Sequence, residues 1–369
     1  MNNKIQSLKS VPLPEFGDFR HNTLPQIIGM LNQPITSILT GQSDHSKLYH
    51  YPFLQKSDLS IIAKLDKLFF LNKVNTSHFP PSVLQRYEYS GNISLSAKKF
   101  IDSNNYLCSR LSFMNYLIDR TLSEISIYLE NGIKIMQLEN IAAPYFVREQ
   151  LPVENIMIMN YLLTKIREHY PALPLGIQML AQADNIALEL AINHKLFYVR
   201  GESFLFRGER PEGITPNYGN LAKAYYLRQL FNLHNNNNPE YPKIYPDILK
   251  KHTIFPSEIS SLKQWLDNIG FMKLEGVIIT GESTGQPVKE EHLSFAREAI
   301  DNYYEKTLAM GYGVSIPLIT GSGADNDNVS WYKKYANALI VGSVQKEFGF
   351  WECDIDIQRL KRFMDAFNS

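Results

Sequence analysis

From Asn131 onward, short apolar runs and helix-period stretches take turns, and this alternation limits the fold more than any other property of the chain. Ile133–Leu138 reads as a buried strand and Pro152–His169 as a helix with proline at its start. Leu175–Leu180, Leu196–Val199, Lys243–Tyr245, Gly276–Thr280, Leu318–Thr320 and Ala338–Val341 repeat the strand pattern. Between them, Asn185–Asn193, Tyr218–Leu233, Ser257–Asn268, Glu290–Ala309 and Asn326–Asn337 read as helices. Ser257 is a suitable N-cap with Gly270 just past the end of its helix, and Asp354 or Asp356 caps a last helix to Phe367. Strands that alternate with helices, without hairpin signals, form a parallel sheet. With Ile27–Leu31 as first strand and Met114–Glu130 as first helix, the count reaches eight of each. An α/β fold of the closed TIM (β/α)₈ type follows.

The chain of 369 residues is longer than the ~250 that such a barrel needs. The surplus falls into an N-terminal extension (1–23) and a segment, Asp44–Ser112, between the first strand and first helix. The barrel is therefore expected over 24–369 with an insertion at 44–112. That insertion, rich in Tyr, Phe, Ser, Lys and Asn, lies on the side where barrel active sites open. It reads equally as a lid or protein-partner surface and as an elaboration without a role in chemistry.

Basic and acidic residues balance at 37 each, so no overall field draws the chain to nucleic acid or an anionic membrane. Cys108 and Cys353 are the only cysteines and lie far apart, which fits a reducing compartment. No window is apolar enough to span a membrane and the first residues show no targeting pattern, so a cytoplasmic protein is expected. Barrels often self-associate; a homo-oligomer stays open.

Side chains at the C-terminal ends of barrel strands point into the site. Those ends carry Glu139 and Asn140, Gln182, Arg200 and Glu202, and Asp247, with Lys250, Lys251 and His252 close behind. The sixth strand ends in Thr280-Gly281-Glu282-Ser283-Thr284-Gly285. The last two end in Gly321-Ser322-Gly323 and Gly342-Ser343. Glycines let backbone approach an anion, and the following helix N-termini aim N–H groups at it, so these two turns are expected to bind phosphate. Glu139, Asp247 and Lys251 are the candidate catalytic groups for acid–base chemistry, with Asn140, Arg200, Thr280, Gly281 and Thr284 as substrate contacts. Each has a plain alternative: Asp247 as a salt-bridge partner, His252 as a solvent-facing residue, the Gly-Ser-Thr loop as an ordinary turn. No dinucleotide fingerprint, Walker loop or zinc pattern is present. No cofactor is expected, although a divalent cation held by Glu139 and Asp247 stays open.

Pro317 to Asn328, Ala338 to Lys346 with Gly349, and Asp356 to Met364 together resemble the C-terminal signature of the BtpA family. Gly276–Gly285 is similar to its TG-x-x-TG segment and Lys243–His252 to its ADV-x-x-KH segment. Glu139-Asn140 with Pro144-Tyr145-Phe146 resembles its EN…PF, and Ile27–Met30 its opening strand. The resemblance covers most of 24–367 outside Asp44–Ser112. It implies a ribulose-phosphate-binding TIM barrel with Gly321–Gly323 and Gly342-Ser343 as the anion site. Departures accompany it. The family's Leu-Arg-Asn-Asp reads Leu180-Ala181-Gln182-Ala183, and its histidine after the first strand reads Asn32. Its strand-four arginine is displaced by one to Arg200, which on a strand means the opposite face unless a bulge corrects it.

Two functions are consistent with these residues. One is an isomerase, epimerase or lyase acting on a small phosphorylated metabolite such as a sugar or nucleoside phosphate. The other is a non-catalytic assembly factor that binds a protein through the insertion.

Overall fold

A computed structural model describes residues 25–33, 104–141, 151, 153–202, 204, 209–210, 213–214, 221–235, 242–254, 262–263, 266, 269–349 and 353–369. The expected extension (1–23), most of the insertion and Pro144–Phe146 lie outside these residues.

Eight parallel strands close into a barrel. In chain order the elements are β1 (Gln26–Gln33), α1 (Asn104–Glu130), β2 (Ile135–Asn140), α2 (Val153–His169), β3 (Leu175–Gln178), α3 (Asp184–Asn193) and β4 (Tyr198–Gly201). A small hairpin, β5 (Glu209–Arg210) and β6 (Gly213–Ile214), precedes α4 (Leu221–Asn235). Then come β7 (Lys243–Leu249), α5 (Ile269–Met272), β8 (Val277–Ile279), α6 (Glu290–Ala309), β9 (Leu318–Thr320), α7 (Val329–Tyr332), β10 (Ala338–Val341) and α8 (Ile357–Asn368). Closure is made by β1, which pairs with β2 on one side and β10 on the other.

The strands read as continuous apolar runs because both of their faces are buried. Successive residues divide between two clusters. Ile27 and Leu31 join the layer between sheet and helices, while Ile28 and Met30 fill the barrel interior. Val277, Ile279, Leu339 and Val341 repeat the outer choice, and Ile278 and Ile340 the inner one. The interior is closed by two tyrosines, Tyr198 and Tyr245, with ring centroids 5.2 Å apart. Tyr198 Oη donates to Gln137 Oε1 at 2.7 Å, so its buried polar tip is satisfied. Glycine on or just before the neighbouring strand makes the room: a Cβ on Gly176 would stand 2.3 Å from the Tyr198 ring, and one on Gly276 2.4 Å from Tyr245.

Several boundaries differ from the sequence reading. The helix α1 starts at Asn104 rather than Met114, so the end of the supposed insertion is part of it. Residues around Ser257 lie outside the described set, but Ile269–Met272 is helical and Gly270 sits inside it. A Cβ there would meet the Tyr303 ring at 2.6 Å, so this glycine serves packing against α6 rather than helix termination. The hairpin β5–β6, with Arg210 paired to Gly213, was not expected. Asp356, not Asp354, caps α8, accepting from the amides of Gln358 and Arg359.

Candidate active site

One step beyond the interior cluster, each strand places its next inward residue at the C-terminal mouth. Moving two positions along from Met30, Gln137, Gly176, Tyr198, Tyr245, Ile278, Ile319 and Ile340 reaches Asn32, Glu139, Gln178, Arg200, Asp247, Thr280, Gly321 and Gly342. Polar groups and glycine thus make up a single level of the barrel. A cleft of about 220 Å³ opens there, lined by Asn32, Glu139, Arg200, Lys251, Thr284, the Gly321–Asp325 loop and Gly342–Val344 among others.

Arg200 lines this cleft from the inner face of β4. The one-residue displacement from the family's arginine does not turn it out of the barrel. Tyr198 is interior, Val199 belongs to the outer layer and Arg200 is interior again, so the alternation runs unbroken. Its Nε stands 3.2 Å from both Asp247 oxygens, and Nη2 is 3.2 Å from Oδ1. Burial opposes the guanidinium charge, but Asp247 and then Glu139 outweigh it and raise the Arg200 pKa. Nη2 itself has no aligned hydrogen-bond partner among the described residues. It faces Gly321, whose Cβ, were there one, would stand 2.9 Å away.

Behind Arg200 runs a buried ionic chain. Asp247 Oδ2 is 3.5 Å from Lys250 Nζ, Lys250 Nζ is 2.8 Å from Glu202 Oε1, and Glu202 Oε2 is 3.1 Å from Arg210 Nη1. Glu202 also accepts from Gln178 Nε2 and the Gln182 amide, while its own amide donates to Asp184 Oδ1. Burial would raise the Glu202 pKa, but Lys250 and Arg210 overcome it and hold the carboxyl at about 2. Arg210 comes from the hairpin, which is why its part in the chain could not be read before the tertiary structure.

Glu139 and Lys251 are arranged differently. Both line the cleft, and neither side chain makes a hydrogen bond or ion pair to another described residue. Lys251 is half-buried, and its backbone is fixed: its amide donates to Thr280 Oγ1 and its carbonyl accepts from Thr253 Oγ1. Desolvation, then the adjacent Lys250 charge, lower its pKa to about 8, with Glu139 opposing. His252 is exposed, and its Nε2 lies 3.1 Å from Thr284 Oγ1.

The two glycine turns meet at this cleft, but not as helix ends. The Gly321 amide donates to Ile279 O at 2.8 Å, continuing the ladder between β9 and β8. The chain then loops through Ser322–Asn328 before the single turn of α7, and Ser343–Gln345 forms a 3₁₀ turn. Among the described residues, no acceptor stands against the amides of Ser322, Gly323, Ala324, Ser343 and Val344. Gly323 adopts φ +71°, and a Cβ on it would lie 2.2 Å from Gln286 O. Only glycine fits both conditions.

Four of the expected residues lie apart from the cleft lining. Asn140 is engaged with Leu180, its amide donating to the carbonyl and its Oδ1 accepting from the N–H, both at 2.7 Å. Asp247 is spent on Arg200 and Lys250. Thr280 and Gly281 line a second cavity with Lys250, Lys289 and His292. Among the described residues no cluster of three or more His, Cys, Asp or Glu could hold a metal, and no helix is long and apolar enough to cross a membrane.

Residues 102–369, from α1 to the end of the barrel, match the BtpA family. The chain belongs to that family. The match spans Glu139, Arg200, Lys251 and both glycine turns, and leaves β1 with Asn32 outside. An uncharacterized mitochondrial protein of Caenorhabditis elegans is 28% identical over 263 residues, covering 69% of this chain and 86% of that protein. The photosystem I biogenesis protein BtpA of Synechocystis sp. is 25% identical over 251 residues, covering 68% of this chain and 79% of that protein. Among solved structures, N-(5'-phosphoribosyl)anthranilate isomerase from Pyrococcus furiosus aligns with a TM-score of 0.41 and 11% identity, covering 68% of this chain and 94% of that one. Within this BtpA-family chain, the sequence departure at Leu180–Ala183 is followed directly by Asp184, whose buried carboxylate holds the Glu202 amide.

Proposed function

We propose that this BtpA-family barrel binds a small phosphorylated metabolite at the mouth of its strands and moves a proton on it, as an isomerase, epimerase or lyase does. The phosphate is held by the amides of Ser322–Ala324 and of Ser343 and Val344. The rest of the ligand reaches Glu139, Lys251 and the outward nitrogen of Arg200. The observation that carries this reading is the cleft's division of labour: loop amides without an acceptor among the described residues at one side, and at the other a carboxylate and an ammonium that make no ion pair within contact distance among those residues. Such amides cost free energy when buried dry, and an oxyanion satisfies several at once. Glu139 serves as the base, and Lys251 stabilises the oxyanion that proton removal leaves. Asp247, because it is held by Arg200 and Lys250, orients the guanidinium instead of donating a proton.

Calorimetric titration with inorganic phosphate and with ribose 5-phosphate tests the site. Binding of phosphate near ~1 mM, with tighter binding of the sugar phosphate, is expected. No heat from either, with the protein folded, overturns the proposal.

A further inference from the structure

Three buried or half-buried lysines stand near the barrel's upper rim, and two of them are committed. Lys250 is paired with Glu202 and Asp247, and Lys346 is buried against Glu124 of α1. Lys251 alone of the three lines the cleft and has its ammonium unpaired among the described residues. Its main chain is clamped at both ends by Thr280 and Thr253, so the side chain leaves a fixed root. The carboxylate of Glu139 and the guanidinium of Arg200 face the same space.

We infer that Lys251 is a covalent nucleophile that forms an iminium with the carbonyl of a phosphorylated aldehyde or ketone. This rests on the phosphate reading for where the carbonyl lies, and it replaces a purely electrostatic role for the lysine with bond formation. A lysine used in this way must be available as the free amine near neutrality, which burial beside a second cation favours; the lowered pKa of about 8 agrees with this. The step balances. The ammonium gives one proton to Glu139 and the free amine adds to the carbonyl carbon, the C=O electron pair passing to oxygen. Glu139 returns its proton to that oxygen, and a second proton from nitrogen completes the water that leaves. Ammonium and carbonyl thus become iminium and water, with no oxidant or reductant required. The iminium then draws electrons from the adjacent carbon, and Glu139, again a carboxylate, is free to take a proton there.

The test is reductive trapping of the full chain with sodium borohydride in the presence of dihydroxyacetone phosphate or of unphosphorylated dihydroxyacetone, followed by peptide mass mapping. The expected result is an adduct at Lys251, formed faster with the phosphate ester and suppressed by inorganic phosphate. Loss of that adduct in Lys251→Arg, with thermal unfolding unchanged, supports the assignment, and the wild-type mapping stands even if the variant does not fold. Trapping at Lys251 with both probes but no suppression by phosphate keeps the nucleophile and removes the phosphate site. Phosphate binding without an adduct at Lys251, or labelling spread evenly over surface lysines, overturns the inference and leaves the phosphate site intact.

Discussion

Arg200 Nε and Nη2 both lie against one buried carboxylate, and Nη2 has room at the cleft only because residue 321 is glycine. Asp247→Asn removes the carboxylate paired with Arg200 in a dry site and leaves Lys250 with Glu202 alone. A loss of about 3 kcal/mol is expected, measured by urea unfolding. Glu202 gives a pH signature. Its folded pKa of about 2 lies below the ordinary 4.5, so its contribution is fully present above the ordinary value and is lost as pH falls through the folded one. The shift is worth on the order of 3 kcal/mol. Unfolding midpoints of the wild type should therefore fall steeply with acidification across that window, and those of Glu202→Gln should fall less. Equal slopes for the two proteins contradict the assignment.

At the scale of elements, the loops after β9 and β10 decide whether there is a binding site. The sequence marks both by their glycines, but not what each glycine does. Gly321 belongs to the sheet ladder and clears space for Arg200, whereas Gly323 bends the loop against Gln286. Gly323→Ala is expected to weaken phosphate binding about tenfold or more while leaving the barrel folded, because the added Cβ strains only the loop; calorimetry with phosphate and far-ultraviolet circular dichroism separate the two effects. Helix α8 offers a control remote from the cleft. Asp356→Ala deletes its N-cap and should lower stability by about 1 kcal/mol in urea unfolding without altering phosphate affinity. The helix Glu290–Ala309 was legible to the residue because its apolar period is sustained. The hairpin β5–β6 was not, since two-residue arms carry no period, and with it Arg210 was missed.

For the molecule as a whole, closure of the barrel brings eight strand ends to one rim, and the net effect at that rim is linked to protons. The Lys251 pKa is lowered, so its folded form holds its proton less well than the unfolded chain does. Stability should rise as pH increases from about 8 toward the unfolded lysine value, with the same sign as the Glu202 effect but in an alkaline window. An anion bound in the cleft pulls that pKa back up. Phosphate binding near pH 8 is therefore expected to take up protons, seen as binding heats that differ between buffers of different ionisation enthalpy; identical heats contradict it. The apolar runs and their helical spacers were enough by themselves to specify a closed parallel barrel, because burying both faces of a strand requires helices outside and side chains within. They also marked the rim, since the residue at each strand end is fixed by counting in twos. What they could not decide was which rim groups stay available. Whether Asp247 meets a substrate or Arg200, whether Asn140 faces the cleft or Leu180, and whether Lys251 or Lys250 is left unpaired depend on contacts between strands far apart in sequence. Those contacts exist only once the sheet has closed on itself.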